Sequence, residues 1–234
     1  METSAPRTAR ARVRAELTAE IKAQALTQLA AGGAESLSLR GIAREMGMAS
    51  SALFRYFPSR DALITALIID SYGALADAAE AAEARAPTCS VLDRWMAICH
   101  GVRDWAIDHP HEYALIFGSP IPGYAAPPDT IAPASRVPLL LSALLADLLA
   151  VGHYDPDGQP EVPDDVVRAV APVRGLIPAG APADLMVRGL MAWTYLFGAV
   201  SFEVFGHRHN VIEEPRAFFD HETRRLAVAL GLDG

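Results

Sequence analysis

Cysteine is nearly missing: Cys89 and Cys99 are the only two in 234 residues, too few for a disulfide framework. Lysine is rarer still, with Lys22 alone against 19 arginines, a bias that fits a GC-rich genome and carries no mechanism. The first twenty residues are Arg-rich and lack an apolar run, so no secretory leader is expected and the compartment reads as cytoplasmic. The longest uncharged stretch of the apolar C-terminal region, residues 189–202, is 14 residues long. A membrane span needs roughly 18 to 20, so no membrane partner is expected. There is no Gly-x-Ser-x-Gly elbow, P-loop, dinucleotide fingerprint or His-Glu-x-x-His pair, which argues against an enzyme and implies no cofactor. Strand signals are also lacking, because β-branched residues are not gathered into alternating runs.

What remains is helix-forming. Hydrophobic residues make up 51% of the chain and Ala and Leu dominate, so an all-α fold of about nine to ten helices is expected. The length suits one small module and one larger domain able to hold a pocket. Net charge is -8, yet residues 1–60 carry nine basic and five acidic residues, +4, whereas the remainder carries 11 and 23, -12. Such asymmetry points the N-terminal module alone at a polyanion, and an ordinary solvated basic tail satisfies the same pattern.

Val13, Leu17, Ile21, Leu26 and Leu29 recur at helical spacing, and Gly32-Gly33 stops that helix. Ser38 caps a short second helix over residues 39–46, Gly47 takes the tight turn, and a third helix over residues 50–56 ends at Pro58. Two short helices joined by a glycine turn make a helix-turn-helix at residues 38–57. Ser59 then caps a long helix to about Arg85. Further helices are predicted over residues 89–108, 112–117, 136–151, 164–176 with an interruption at Pro172, 183–206 and 215–230. The six prolines of residues 118–138 predict a largely non-helical segment.

Residues 38–63 run Ser38, Ile42-Ala43, Gly47-Met48-Ala49, Leu53-Phe54-Arg55-Tyr56-Phe57 and Arg60-Asp61-Ala62-Leu63. This resembles the signature of the tetracycline-repressor (TetR) family: a capping Ser or Thr, Ile-Ala, Gly-Val-Ser, a Leu-Tyr-x-His/Tyr-Phe box, then Lys-Glu/Asp-x-Leu. The resemblance implies a DNA-reading domain at residues 15–75 and a ligand-binding, dimerising domain at residues 76–234. It also implies a repressor released from a palindromic operator by a small apolar effector. The DNA-binding candidates are Ser38, Arg40, Ser50, Ser51, Ala52, Phe54, Arg55, Tyr56 and Arg60. Arg55 is placed for a guanine edge or a phosphate; for Arg40 and Arg44, a solvated helix face is an equal alternative. Phe54 stands where the family has Tyr, removing a hydroxyl that commonly meets a phosphate. Ala49 replaces the capping Ser, which moves the cap to Ser50 or leaves it vacant.

Farther on, residues 105–117 and 193–198 are similar to a TetR C-terminal subgroup, the WHG-like one, with Phe197 where that subgroup often has His. Residues 183–206 are apolar on nearly every side, so with residues 215–230 they are expected to form half of a four-helix bundle across a homodimer, or else to be covered within one subunit. Pocket candidates are Trp95, Met96, Cys99, His100, Tyr113, Phe117, Met191, Trp193 and Tyr195, with His100 and Tyr195 as polar anchors; core packing is the competing role for each. No metal site is expected from Cys99-His100, from His207-Arg208-His209 or from residues 155–158.

Overall fold

The computed structural model describes residues 9–86, 90–150, 152 and 161–232. Among them there are helices and no strands. The α-helices are α1 (Ala9–Gly32), α2 (Leu39–Glu45), α3 (Ser50–Leu53), α4 (Arg60–Glu83), α5 (Val91–Asp108), α6 (Pro110–Phe117), α7 (Ile131–Ala150), α8 (Asp164–Ala169), α9 (Ala183–Val204) and α10 (Pro215–Leu230). Short 3-10 turns follow α1, precede α7 and follow α8. The chain forms two compact units, Met1–Ser71 with His111–Thr130, and Tyr72–Pro110 with Ile131–Gly234.

In the first unit, local chemistry sets the helix ends. Ser38 Oγ accepts from the Gly41 amide at 3.2 Å and Ser59 Oγ from Ala62 at 3.0 Å, each satisfying a donor that a helix start leaves open. Gly47 adopts φ 65°, the left-handed turn between α2 and α3. Ile21, Ala25 and Leu29 of α1 form the buried core with Ile42, Ala43, Leu53 and Phe57. Tyr124, in the proline-rich segment, hydrogen-bonds Thr65 of α4 at 2.9 Å.

In the second unit, α5, α7 and α9 pack against one another and α10 packs on α5 and α9. The buried Arg103–Glu203 ion pair links α5 to α9, its Nε donating to Oε2 at 2.9 Å. Arg136 ties α7 to α4 through Asp77 and Glu80, both at 2.7 Å. Three stretches, α4, Pro128–Ala150 and α9, are long and apolar enough to cross a membrane by length and composition. In this fold α7 and α9 pack on each other and on α5.

Several boundaries differ from expectation. The helix expected from residue 136 starts at Ile131 and contains two of the six prolines. Pro133 is the third residue, where no intrahelical N–H is required, and Pro138 is accommodated inside the helix. The third helix, expected over residues 50–56, is one turn, Ser50–Leu53, continued by turn residues through Tyr56, with the Phe57 amide donating to the Leu53 carbonyl at 3.1 Å. α5 begins at Val91 rather than residue 89, because Ser90 caps it. α6 takes in Pro110, whose fixed φ suits a first helical position. Cys89, Val151 and residues 155–158 lie outside the described residues.

Candidate functional site

The helix-turn-helix presents an exposed surface made by the short recognition helix and its continuation. Leu53 and Phe57 are buried and anchor it, while Ser50, Ser51, Phe54 and Arg55 are exposed and Ala52 is half-buried. The N-cap of α3 is Ala49, which offers no side-chain acceptor; the cap is vacant. Arg40 and Arg44 are exposed on α2. Ser38 is occupied structurally: its hydroxyl caps α2 and its amide donates to Gln28 Oε1 at 3.0 Å. Arg60 is likewise engaged, its Nη2 donating to the Ala34 carbonyl at 2.6 Å. Tyr56 is half-buried beneath the Arg14 guanidinium, which lies 5.3 Å from the ring centroid.

The second unit holds a cavity of about 160 Å³. Trp95 of α5 forms one wall, Leu141, Ser142, Leu144 and Leu145 of α7 another, and Gly189, Leu190, Ala192 and Trp193 of α9 a third. Val173, Leu176 and Ile177 of the turn after α8, with Pro138, Leu230 and Leu232, complete it. The polarity of the lining is slight. Trp95 already donates its Nε1–H to the Thr223 carbonyl at 3.0 Å, which leaves the Ser142 hydroxyl and the indole of Trp193 as the polar groups of this wall. Among the described residues no charged side chain lines it.

Of the nine pocket candidates, the cavity brings together Trp95 and Trp193. Met96 and Cys99 are buried on α5 and do not line it. Burial pushes the Cys99 thiol well above its usual range. His100 and Tyr195, the expected polar anchors, face carboxylates: His100 Nε2 is 3.2 Å from Asp220 and the Tyr195 hydroxyl donates to Glu222 at 2.9 Å. Met191 is 63% exposed. Tyr113 and Phe117 pack ring to ring at 5.0 Å and belong to the first unit. The α7 wall is not among the expected candidates, although Leu139-Leu140-Leu141 and Leu144-Leu145 form an apolar run inside the helix expected over residues 136–151, because the face of that helix that meets α5 and α9 is set by neighbours distant in sequence. Among the described residues no group of three or more His, Cys, Asp or Glu could hold a metal.

α9 also carries an exposed apolar stripe at helical spacing, Met191, Tyr195 and Phe202, continued by Phe205 just past its end, and α10 exposes Phe218 and Val228. Gly198 lies in that stripe, and a Cβ built on it meets nothing within 4 Å.

Comparison with known proteins decides the family. Residues 21–67 match bacterial regulatory proteins of the tetR family, and residues 95–226 match the tetracyclin repressor-like C-terminal domain. Over 230 residues the chain is 37% identical to the HTH-type transcriptional regulator Rv1816 of Mycobacterium tuberculosis and equally to Mb1846 of Mycobacterium bovis, covering 93% of this chain and 93% of each relative. The chain belongs to the TetR family. It is a DNA-binding transcriptional regulator of that family, a non-enzymatic class. The TetR C-terminal match spans both segments, 105–117 and 193–198, on which the subgroup resemblance rests. Among solved structures, a regulatory protein, SCO4313, is 34% identical with a TM-score of 0.76, covering 95% of this chain and 98% of that one. The fatty acid degradation regulator FadR from Bacillus halodurans shares the fold at 12% identity, with a TM-score of 0.61 and coverage of 92% and 98%.

Proposed function

We propose that this TetR-family regulator is a cytoplasmic homodimeric repressor that leaves a palindromic operator when a small, uncharged, apolar effector fills the cavity of its second unit. The observation that carries the reading is that cavity: a space of about 160 Å³ with apolar walls and, among the described residues, no charged group, built in the unit that does not contain the reading helices. A charged effector would lose its hydration there without a counter-charge. A cavity of comparable size lined by aliphatic side chains holds benzene. The effector on this reading is therefore ring-sized, with at most one or two hydrogen-bonding groups to meet Ser142.

Residues 15–75 act as the reader. Arg55 contacts a guanine edge or phosphate, Ser50 and Ser51 bind phosphate, and Phe54 and Ala52 offer apolar contact to thymine methyls. Ser38 and Arg60 hold the reader in shape through the bonds described above. Residues 76–234 sense and dimerise. The exposed stripe of α9 and α10, notched at Gly198, supports a close isologous contact between two copies. Two copies present two recognition helices to two half-sites.

Effector binding and DNA binding are coupled through covalent continuity. α4 contributes residues to both units, and α7, which walls the cavity, begins at the residue following Thr130 of the first unit. An effector that favours one arrangement of these helices shifts the DNA-binding equilibrium by its differential affinity. The test is a screen of neutral apolar compounds against protein bound to a labelled operator fragment. Release by a ring-sized neutral compound, abolished in a variant whose cavity is filled by Ala192→Leu, supports the reading. Release only by charged compounds, or equal release from the filled variant, overturns it.

A further inference from the structure

The buried stripe of α1, Ile21, Ala25 and Leu29, packs on the reader, but α1 extends more than two turns before its first buried residue. Arg14 and Arg10 lie seven and eleven residues before Ile21, which at 3.6 residues per turn places them on the same stripe, two and three turns back. Along this line the face changes from apolar, through half-buried Leu17 and Thr18, to exposed arginine. Arg14 stacks over Tyr56, which joins this basic end to the continuation of the recognition helix. Arg12, nine residues before Ile21, points to the opposite side.

Among the described residues no ion pair joins Arg10, Arg12 or Arg14 to a carboxylate, whereas Lys22, the next basic residue on α1, is paired with Asp70 at 2.6 Å. The first turn of α1 contains no acidic residue. Arg10 thus adds positive charge at the end of the helix where the dipole is already positive, an arrangement unfavourable by itself and favourable beside an anion.

We propose that Arg10 and Arg14 form a second DNA contact, to the phosphate backbone flanking the bases read by α3. The inference rests on the reading of α3 as the operator reader. The stripe extends the reader's own packing face past its protein partners, and its charge is complementary to duplex phosphate. Its contribution is sequence-independent, because phosphate contacts position a protein without reporting bases. Each such contact lowers the slope of log K against log salt concentration by about 0.9.

The test uses the full chain, an operator duplex selected from genomic fragments, and the same duplex trimmed to the selected bases. Affinities are measured by fluorescence anisotropy between 50 and 200 mM salt for the native chain and for R10A, R12A, R14Q and the R10A/R14Q double variant. The double variant is expected to lose about 1.8 from the slope, so the native advantage shrinks about 12-fold across that range, equally on cognate and scrambled duplexes. R12A should match the native slope. Trimming the duplex should erase the difference between native and double variant. An unchanged slope in R10A/R14Q, a loss of equal size in R12A, or a loss confined to the cognate sequence overturns the proposal. Both mutated positions are exposed, and unchanged far-ultraviolet circular dichroism and melting temperature exclude unfolding as the cause. If the native chain selects no duplex at all, the reading of α3 fails first, and that failure is visible before any variant is compared.

Discussion

Truncating Leu144 to alanine should cost less than truncating Leu148, although both leucines sit on α7 and each is 1% exposed. Either change removes three buried carbons, worth about 2.4 kcal/mol at ~0.8 kcal/mol each. The void left behind raises measured Leu→Ala losses to about 2.7 to 5 kcal/mol. Leu148 does not border the cavity, so its side chain is packed on all sides and the full penalty applies, about 4 kcal/mol. Leu144 borders the cavity, so the void left by its truncation merges with that space and can be filled by neighbouring side chains or solvent, and the loss should be about 3 kcal/mol. Urea denaturation at fixed protein concentration, with slopes equal to that of the native chain, measures both. Benzene at millimolar concentration should then raise the midpoint of Leu144→Ala more than that of Leu148→Ala. Equal losses, or a larger loss at Leu144, would show that the cavity is closed by side-chain rearrangement and would refute the reasoning.

Arg55→Ala should weaken operator binding by more than about 1 kcal/mol and relax base preference, read by anisotropy on a panel of single-base variants. Gly198→Leu should convert a two-subunit mass into a one-subunit mass in light scattering, because the side chain fills the notch in the exposed stripe; an unchanged mass would remove this face from the interface. Arg103→Ala should destabilise the fold by about 3 kcal/mol, since the Glu203 side chain, 10% exposed, loses its counter-charge; a thermal melt within error of the native chain would contradict it. Burial pushes the Asp220 carboxyl up, but hydrogen bonds from His100 and Arg224 outweigh this and hold it below its usual value. Its contribution is therefore present above the ordinary carboxylate range and lost as pH falls through the lowered value, so Asp220→Asn should show a shallower loss of stability in acid than the native chain.

What could be read from the sequence is what local chemistry decides. Ser38, Gly47, Ser59, Pro215 and Gly231 mark helix ends because a cap, a positive φ or a missing N–H acts within a few residues. The start of α7 was not legible by counting prolines, because Pro133 and Pro138 are tolerated for different reasons, one by position in the first turn and one by insertion into the helix. The recognition helix was read about one turn too long, since Leu53 and Phe57 share a stripe whether the residues between them are helix or turn. Cavity walls depend on which faces of α5, α7 and α9 meet, and neighbours distant in sequence set that. Thus Trp95 and Trp193 face the space, while Tyr113 and Phe117, equally aromatic, lie in the other unit.

The central claim is that the basic N-terminal unit reads DNA under control of the second unit's ligand. Its most direct test is fluorescence-anisotropy binding to the DNA upstream of the protein's own gene, against scrambled competitor, across a salt series. Tight, sequence-selective binding is expected, with two protomers per duplex and an affinity that falls steeply with salt. Equal affinity for cognate and scrambled DNA, there and on any selected duplex, would contradict it.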